Sequence, residues 1–98
     1  MSDFLQVLIG IIDQRKANQE PGSYTNSLLA DPVRAAQKVG EEATEVVVAA
    51  LAQPDDRLLE EMADLVYHSL VLLSSRNLAW TQVLETLERR HWKALPED

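Results

Sequence analysis

Five carboxylates near the middle of the chain have the residue type and the spacing of a metal site. They form a group of three and a group of two: Glu41, Glu42 and Glu45, then Glu61 and Asp64. Side chains three or four positions apart share a face of an α-helix, so each group would present its oxygens together. All-oxygen ligands favour Mg²⁺, with Mn²⁺ as an alternative, over Zn²⁺ or copper. Because Mg²⁺ in proteins commonly engages phosphates, a nucleotide or polyphosphate is the expected substrate.

The first group also has a simpler interpretation, a solvated helix face with Lys38 paired to Glu41 or Glu42. On a helical wheel Lys38 lies beside these glutamates, opposite an apolar stripe that we expect to face the core. The stripe is made of Val39, Ala43, Val46 and Ala50. Lys38 could bind a phosphate group as a point charge, or it could only screen the acidic side chains around it.

The second group is harder to interpret as a solvated face, because Asp64 interrupts the nearly apolar segment 62–73. A carboxylate in a helix that is buried on almost all sides is costly unless it is paired or bound to a cation. The structural alternative to metal binding is a buried salt bridge, or a hydrogen bond to Tyr67, His68 or a helix cap. For His68 itself we expect a satisfied core or supporting histidine rather than a ligand.

The formal net charge of −7 is confined to one part of the chain. Residues 41–64, here called the acidic window, contain eight acids and one base, and the acids and bases elsewhere cancel. Such a window repels phosphates unless a cation bridges them, and direct nucleic-acid binding requires a basic surface. The sequence has no Cys, no basic-then-apolar leader and no apolar run long enough for a membrane span. We therefore expect a cytoplasmic protein that binds neither nucleic acid nor membrane.

Helical periodicity accounts for most of the 98 residues, and no strand pattern competes with it. Helices are predicted over 3–18, 31–52, 54–75 and 81–92, with a short helical segment at 23–30. Asp31 and Pro32 make a favourable helix start, and Asn77 is expected to end the third helix. Because the connections are short, we predict an all-α four-helix-type bundle, a single domain over residues 1–98. A bundle this small often gains core by pairing, so we expect a homodimer.

Four motifs together resemble a known family. They are SYT at 23–25, KVGEEATEVVVAA at 38–50, EEMADLVYHSLVLL at 60–73 and VLETLERRH at 83–91. In this order, the segment from about residue 20 to residue 91 resembles the phosphoribosyl-ATP pyrophosphohydrolases of histidine biosynthesis. These enzymes belong to the MazG-like all-α nucleotide pyrophosphatase superfamily. The carboxylate pairs alone would indicate only the superfamily.

The resemblance implies Mg²⁺-dependent hydrolysis of phosphoribosyl-ATP to phosphoribosyl-AMP and pyrophosphate, the second step of histidine biosynthesis. It also implies that the five carboxylates hold the metal and activate water, and that Lys38 contacts phosphate. The more regular ligand set within them is Glu42, Glu45, Glu61 and Asp64. Glu41 is then the expected general base, although Glu41 and Glu42 could exchange roles. Water would attack the α–β phosphoanhydride in line.

Further substrate contacts are expected outside the acidic window. Ser23, Tyr24 and Thr25 could donate hydroxyl hydrogen bonds to phosphate or ribose, or could only cap and turn the chain before the short helix. Arg89 and Arg90 suit the C-terminal end of a helix electrostatically, and they could also reach the substrate, including across a dimer interface.

Two other functions fit parts of the pattern. One is a MazG-like pyrophosphatase that clears non-canonical nucleoside triphosphates, although the SYT triplet and the ERRH ending favour the histidine enzyme. The other is a non-catalytic helical dimerisation module whose acidic surface binds a basic partner. That module would leave Asp64 in its apolar segment without an explanation.

Overall fold

The computed structural model describes residues 3–94, and within this range the chain is an all-α bundle without strands. Its helices are α1 (Phe4–Ala17), α2 (Tyr24–Leu29), α3 (Pro32–Ala52), α4 (Asp55–Ser75) and α5 (Trp80–Ala94). The four predicted helices and the short helical segment are confirmed, with boundaries that differ by at most two residues. None of the helices in the described range is long and apolar enough to cross a membrane.

Local sequence explains where the helices begin and end. The Asp31 side chain accepts a hydrogen bond from the Arg34 backbone N–H at 3.2 Å, and Pro32 occupies the first turn of α3. Asn77 adopts a left-handed backbone with φ of 60° after the last turn of α4. This conformation lets the Leu78 N–H reach the Leu73 carbonyl at 2.9 Å, so Asn77 ends the helix as predicted.

The hairpin of α3 and α4 is the main packing unit, and α1 and α2 pack against α4. Gln53 and Pro54 alone connect α3 to α4, so the two helices are antiparallel neighbours. The core cluster lies where α1, α2 and α3 meet α4, and it is made of Ile12, Leu28, Ala35, Leu70 and Val71. This arrangement leaves the end of the hairpin nearest its turn free of the core.

The buried face of α3 differs from the predicted stripe. Its buried residues are Ala35, Glu42 and Ala49, whereas Ala50 is exposed and the rest of the stripe is only partly buried. On the helical wheel the true face is rotated by about 70° from the expected one. The three buried positions are seven residues apart, so they form one line along the side of α3 that packs against α4.

The single chain leaves large apolar surfaces uncovered. Its radius of gyration is 15.6 Å, while a compact chain of about 100 residues has about 13 Å. Its accessible surface is 7084 Å², and a compact monomer of this mass would expose about 5,600 Å². The exposed apolar residues include Phe4, Val7, Ile11, Val47, Val48, Leu51, Leu59, Met62, Leu84 and Leu87. The described helices therefore bury less of their apolar surface than an independent bundle would.

Candidate active site

The α3–α4 hairpin brings three of the predicted carboxylates together. One oxygen from each of Glu42, Glu45 and Glu61 lies within 4.8 Å of the other two, and these residues are here called the carboxylate cluster. The meeting follows from the hairpin: Glu45 lies eight residues before Gln53, and Glu61 lies seven residues after Pro54. At 1.5 Å per residue, both lie about 10–12 Å from the turn, which places them at the same height.

Two members of the cluster are buried and only partly satisfied. Glu42 is 5% exposed and Glu61 is 6% exposed. In each, the Oε2 atom is buried and has no hydrogen-bond partner within the described chain. A buried carboxylate oxygen without a partner is costly, so each of these oxygens is an open position for a cation or a donor.

The cluster fits a small divalent cation. Oxygens that surround Mg²⁺ at its preferred distance of about 2.1 Å are separated by about 3–4 Å, and the oxygens of the cluster lie within 4.8 Å of one another. Small rotamer changes of Glu42, Glu45 and Glu61 would therefore satisfy one Mg²⁺ or Mn²⁺ ion. An ion bound through Glu42 Oε2 and Glu61 Oε2 would provide the partners that these two oxygens lack.

Lys38 lies on the α3 side of the cluster and forms two ion pairs. Its Nζ is 3.3 Å from Glu41 Oε2 and 3.3 Å from Glu42 Oε1. The hydrogen bond with Glu41 is the main cause that raises the pKa of Lys38 above its ordinary value of 10.5, and Glu42 adds to it while burial partly opposes it. The expected pairing is confirmed, and contact between Lys38 and a phosphate stays a prediction.

Arg57 lies on the α4 side of the cluster and was not among the predicted site residues. Its Nη2 is 2.7 Å from Glu61 Oε1, and its Nη1 is 2.6 Å from Glu60 Oε2. Arg57 and Glu61 line a cavity of about 160 Å³ together with Glu45. The signal that could have found it is its i,i+4 spacing to Glu61, since Arg57 is the one base in the acidic window.

Asp64 and Glu41 do not join the cluster in the single chain. Both side chains are exposed. The expectation that α4 is buried on almost all sides was wrong, because Leu59 and Met62 on the same helix are 70% and 43% exposed. The buried carboxylates are Glu42 and Glu61 instead. Since Asp64 follows Glu61 by one helical turn, its part in metal binding stays a prediction.

The SYT segment joins α2 to α4 beside the cluster. His68 Nδ1 donates to the Asp64 carbonyl at 2.7 Å, which leaves Nε2 as an acceptor for the Tyr24 hydroxyl at 2.9 Å. The Thr25 hydroxyl is 2.5 Å from the Tyr67 hydroxyl. His68 is buried and satisfied at both nitrogens, which confirms the core role expected for it.

The hydroxyls of the SYT segment all have hydrogen-bond partners within the described chain. The Ser23 hydroxyl caps α2 by accepting from the Asn26 N–H at 3.1 Å, so the capping role is the one the structure shows. Tyr24 is 43% exposed and also lines an open groove of about 680 Å³ in front of α2. Contact between these hydroxyls and a substrate stays a prediction.

A comparison with known protein families matches residues 5–91 to the family of phosphoribosyl-ATP pyrophosphohydrolases. This match includes the cluster, both of its cationic neighbours and the SYT segment. The chain belongs to this family.

Individual relatives agree with the family match. A phosphoribosyl-ATP pyrophosphatase of Caulobacter vibrioides is 47% identical over 90 residues, which cover 92% of this chain and 84% of that protein. One from Metallosphaera sedula is 47% identical over 91 residues, covering 92% and 98%. One from Pyrobaculum aerophilum is 52% identical over 84 residues, covering 85% and 89%.

The remaining residues predicted for this phosphoribosyl-ATP pyrophosphohydrolase family member lie on α5. Arg89 and Arg90 are exposed near the end of that helix, and Arg89 Nη2 lies 3.4 Å from the Thr86 hydroxyl. Helix α5 is not part of the main packing between α1, α2, α3 and α4. A contact between these arginines and the substrate stays a prediction.

Proposed function

We propose that this chain hydrolyses phosphoribosyl-ATP to phosphoribosyl-AMP and pyrophosphate with the help of a divalent cation, Mg²⁺ or Mn²⁺. The family membership and the names of the relatives support the reaction. The observation that supports the cation is the carboxylate cluster, with its two buried oxygens that have no partner in the described chain. Asp64, one turn beyond Glu61, completes the proposed ligand set.

In this mechanism the proposed ligand set of Glu42, Glu45, Glu61 and Asp64 would hold the cation. When bound, the cation would neutralise charge on the triphosphate and make water a better nucleophile. Glu41 is the proposed base, because it is exposed beside the cluster and can accept a proton from water. Lys38 keeps its charge over the working pH range, since its pKa is raised, and it can hold a phosphate oxygen. Tyr24, held by His68, faces the groove in front of α2, from which the substrate can be contacted.

The active form is proposed to be a homodimer in the cytoplasm. The surface that the single chain leaves exposed in excess is about 1,500 Å², which is the size of the area that one subunit buries in an obligate dimer. Covering the apolar faces of α1, α3 and α4 with a second copy would remove this excess. The acidic window continues to disfavour nucleic acid as a partner.

The proposal is tested by measuring pyrophosphate release from phosphoribosyl-ATP with Mg²⁺ and with EDTA, beside a panel of deoxynucleoside triphosphates. We expect turnover of phosphoribosyl-ATP that requires the cation and exceeds turnover of the panel. Preference for the panel would favour the MazG-like pyrophosphatase. No cation-dependent release from any substrate would favour the dimerisation module.

Variants test the site itself. Glu45→Gln and Asp64→Asn should each reduce cation-dependent turnover strongly, since each removes a proposed ligand charge without changing side-chain size. Glu85→Gln on α5 is the matched control, because it removes the same charge from an exposed residue outside the site. If both site variants keep the turnover of the control, the metal mechanism is wrong.

A further inference from the structure

We propose that Arg57 is a built-in counter-ion for Glu61 that competes with the divalent cation for the carboxylate cluster. This inference rests on the proposed function, because it takes the cluster to be the cation site. In the metal-free protein Arg57 neutralises Glu61, and the cation must displace it to use that carboxylate fully.

The contact geometry supports competition rather than a bystander role. Arg57 Nη2 is 2.7 Å from Glu61 Oε1, while Glu61 Oε2 is buried without a partner. A cation that bound both Glu61 and Glu45 would enter the cavity that Arg57 also lines. Two cations at one carboxylate repel each other, so the guanidinium and the metal ion each weaken the binding of the other there.

The exposure of the pair shows how the guanidinium could leave. The Arg57 side chain is 46% exposed, whereas that of Glu61 is only 9% exposed. Arg57 therefore reaches a buried carboxylate from the solvent side. Its second partner, Glu60, is 61% exposed and lies 2.6 Å from Nη1, so the displaced guanidinium keeps an anionic neighbour at the rim of the site.

The charges of the cluster explain why the chain would carry such a residue. Three carboxylates within 4.8 Å repel one another, and without a metal ion this repulsion opposes folding. Lys38 neutralises Glu42 from α3, and Arg57 neutralises Glu61 from α4. Together they supply two positive charges, the same charge as one Mg²⁺.

Competition and structural support make opposite predictions for Arg57→Gln. If Arg57 only supported the fold of the site, its loss would weaken cation binding. If Arg57 competes, its loss should tighten Mn²⁺ binding about fivefold, the effect of one partly exposed ion pair. Arg57→Lys keeps the charge but loses the guanidinium that contacts Glu60 and Glu61 through separate nitrogens. Its affinity for Mn²⁺ should therefore fall between those of the wild type and Arg57→Gln.

The experiment is a titration of the full chain with Mn²⁺ alone, followed by electron paramagnetic resonance at fixed pH and ionic strength. Circular dichroism verifies that each variant is folded. Arg76→Gln, at the far end of α4, is the control for a general change of net charge. Tighter binding by Arg57→Gln but not by Arg76→Gln supports competition.

The results that would contradict competition by Arg57 differ from those that would contradict the proposed metal site. If the wild type binds Mn²⁺ and Arg57→Gln binds it equally or more weakly, the competition is overturned while the metal site stands. Equal tightening by Arg76→Gln also overturns it, because the effect would then be a general one of charge. If no variant binds Mn²⁺, the metal part of the proposed function fails as well.

Discussion

Glu45→Gln is predicted to make the metal-free protein more stable, although it removes a residue of the active site. Glu45 shares the cluster with Glu42 and Glu61, one oxygen of each lying within 4.8 Å of the others. The ion pairs of the cluster belong to its two buried members, with Lys38 and Arg57. Because Glu45 is exposed, its replacement relieves repulsion without leaving a buried group unpaired.

The magnitude follows from the spacing. Two unit charges no more than 4.8 Å apart repel by at least about 0.9 kcal/mol in a dielectric like that of water. Glu45 has two such neighbours, so the repulsion amounts to about 1.7 kcal/mol before the neighbouring cations are counted. Since Lys38 and Arg57 partly neutralise those neighbours, a gain on the order of 1 kcal/mol in the free energy of unfolding remains. For a chain of this size that gain raises Tm by about 4–8 °C.

The assay is thermal unfolding followed by circular dichroism in EDTA and in Mg²⁺. At a Mg²⁺ concentration ten times its Kd the wild type should gain about 1.4 kcal/mol, and a variant that binds tenfold more weakly should gain about 0.4 kcal/mol. Glu45→Gln should therefore unfold at a higher temperature in EDTA but respond less to Mg²⁺. A lower Tm in EDTA, or a Mg²⁺ response equal to that of the Glu85→Gln control, would refute the reasoning.

Three further predictions concern the surroundings of the site. Tyr24→Phe leaves His68 Nε2 without its donor and should cost about 1 kcal/mol in urea unfolding; an unchanged midpoint would contradict the hydrogen bond. Because its pKa is raised, Lys38 contributes its full stabilisation below pH 10.5 and loses it as the pH rises through the raised pKa. The difference in unfolding free energy between the wild type and Lys38→Met should therefore stay constant from about pH 6 to 9 and shrink above pH 10.5. Val47→Asp should convert the proposed dimer to monomer in analytical ultracentrifugation, while Gln37→Asp, an exposed polar position on the same helix, should not.

The helices could be predicted from the sequence because their ends are encoded locally. Asp31 and Pro32 set the start of α3, and Asn77 sets the end of α4, through interactions that reach only a few residues along the chain. The start of α5 was harder to place because Ala79 cannot cap a helix. Instead, the Ala79 backbone N–H donates a hydrogen bond at 2.7 Å to the side-chain oxygen of Gln82, three residues later.

The composition of the site was predictable only in part, because helical spacing does not determine how each helix is rotated toward its neighbours. The structure brings Glu42, Glu45 and Glu61 together, while Glu41 and Asp64, which were predicted to converge with them, lie outside the cluster. The burial was assigned to the wrong acid: Glu61 is buried and Asp64 is exposed. An apolar segment such as 62–73 indicates burial in an assembly as well as in a single chain, and the sequence does not distinguish the two.

The acidic window thus contains acids of different kinds. Asp55 and Asp56 lie in the first turn of α4, where the helix dipole favours negative charge. Glu42 and Glu61 are buried against each other across the hairpin, where repulsion opposes folding unless cations are near. A chain that folds without metal has to supply those cations itself, and any cation it supplies at a ligand oxygen then opposes the metal. Arg57 therefore stabilises the metal-free protein and lowers its affinity for the cation. Glu45 has the reverse effect on both quantities, and Glu45→Gln tests it.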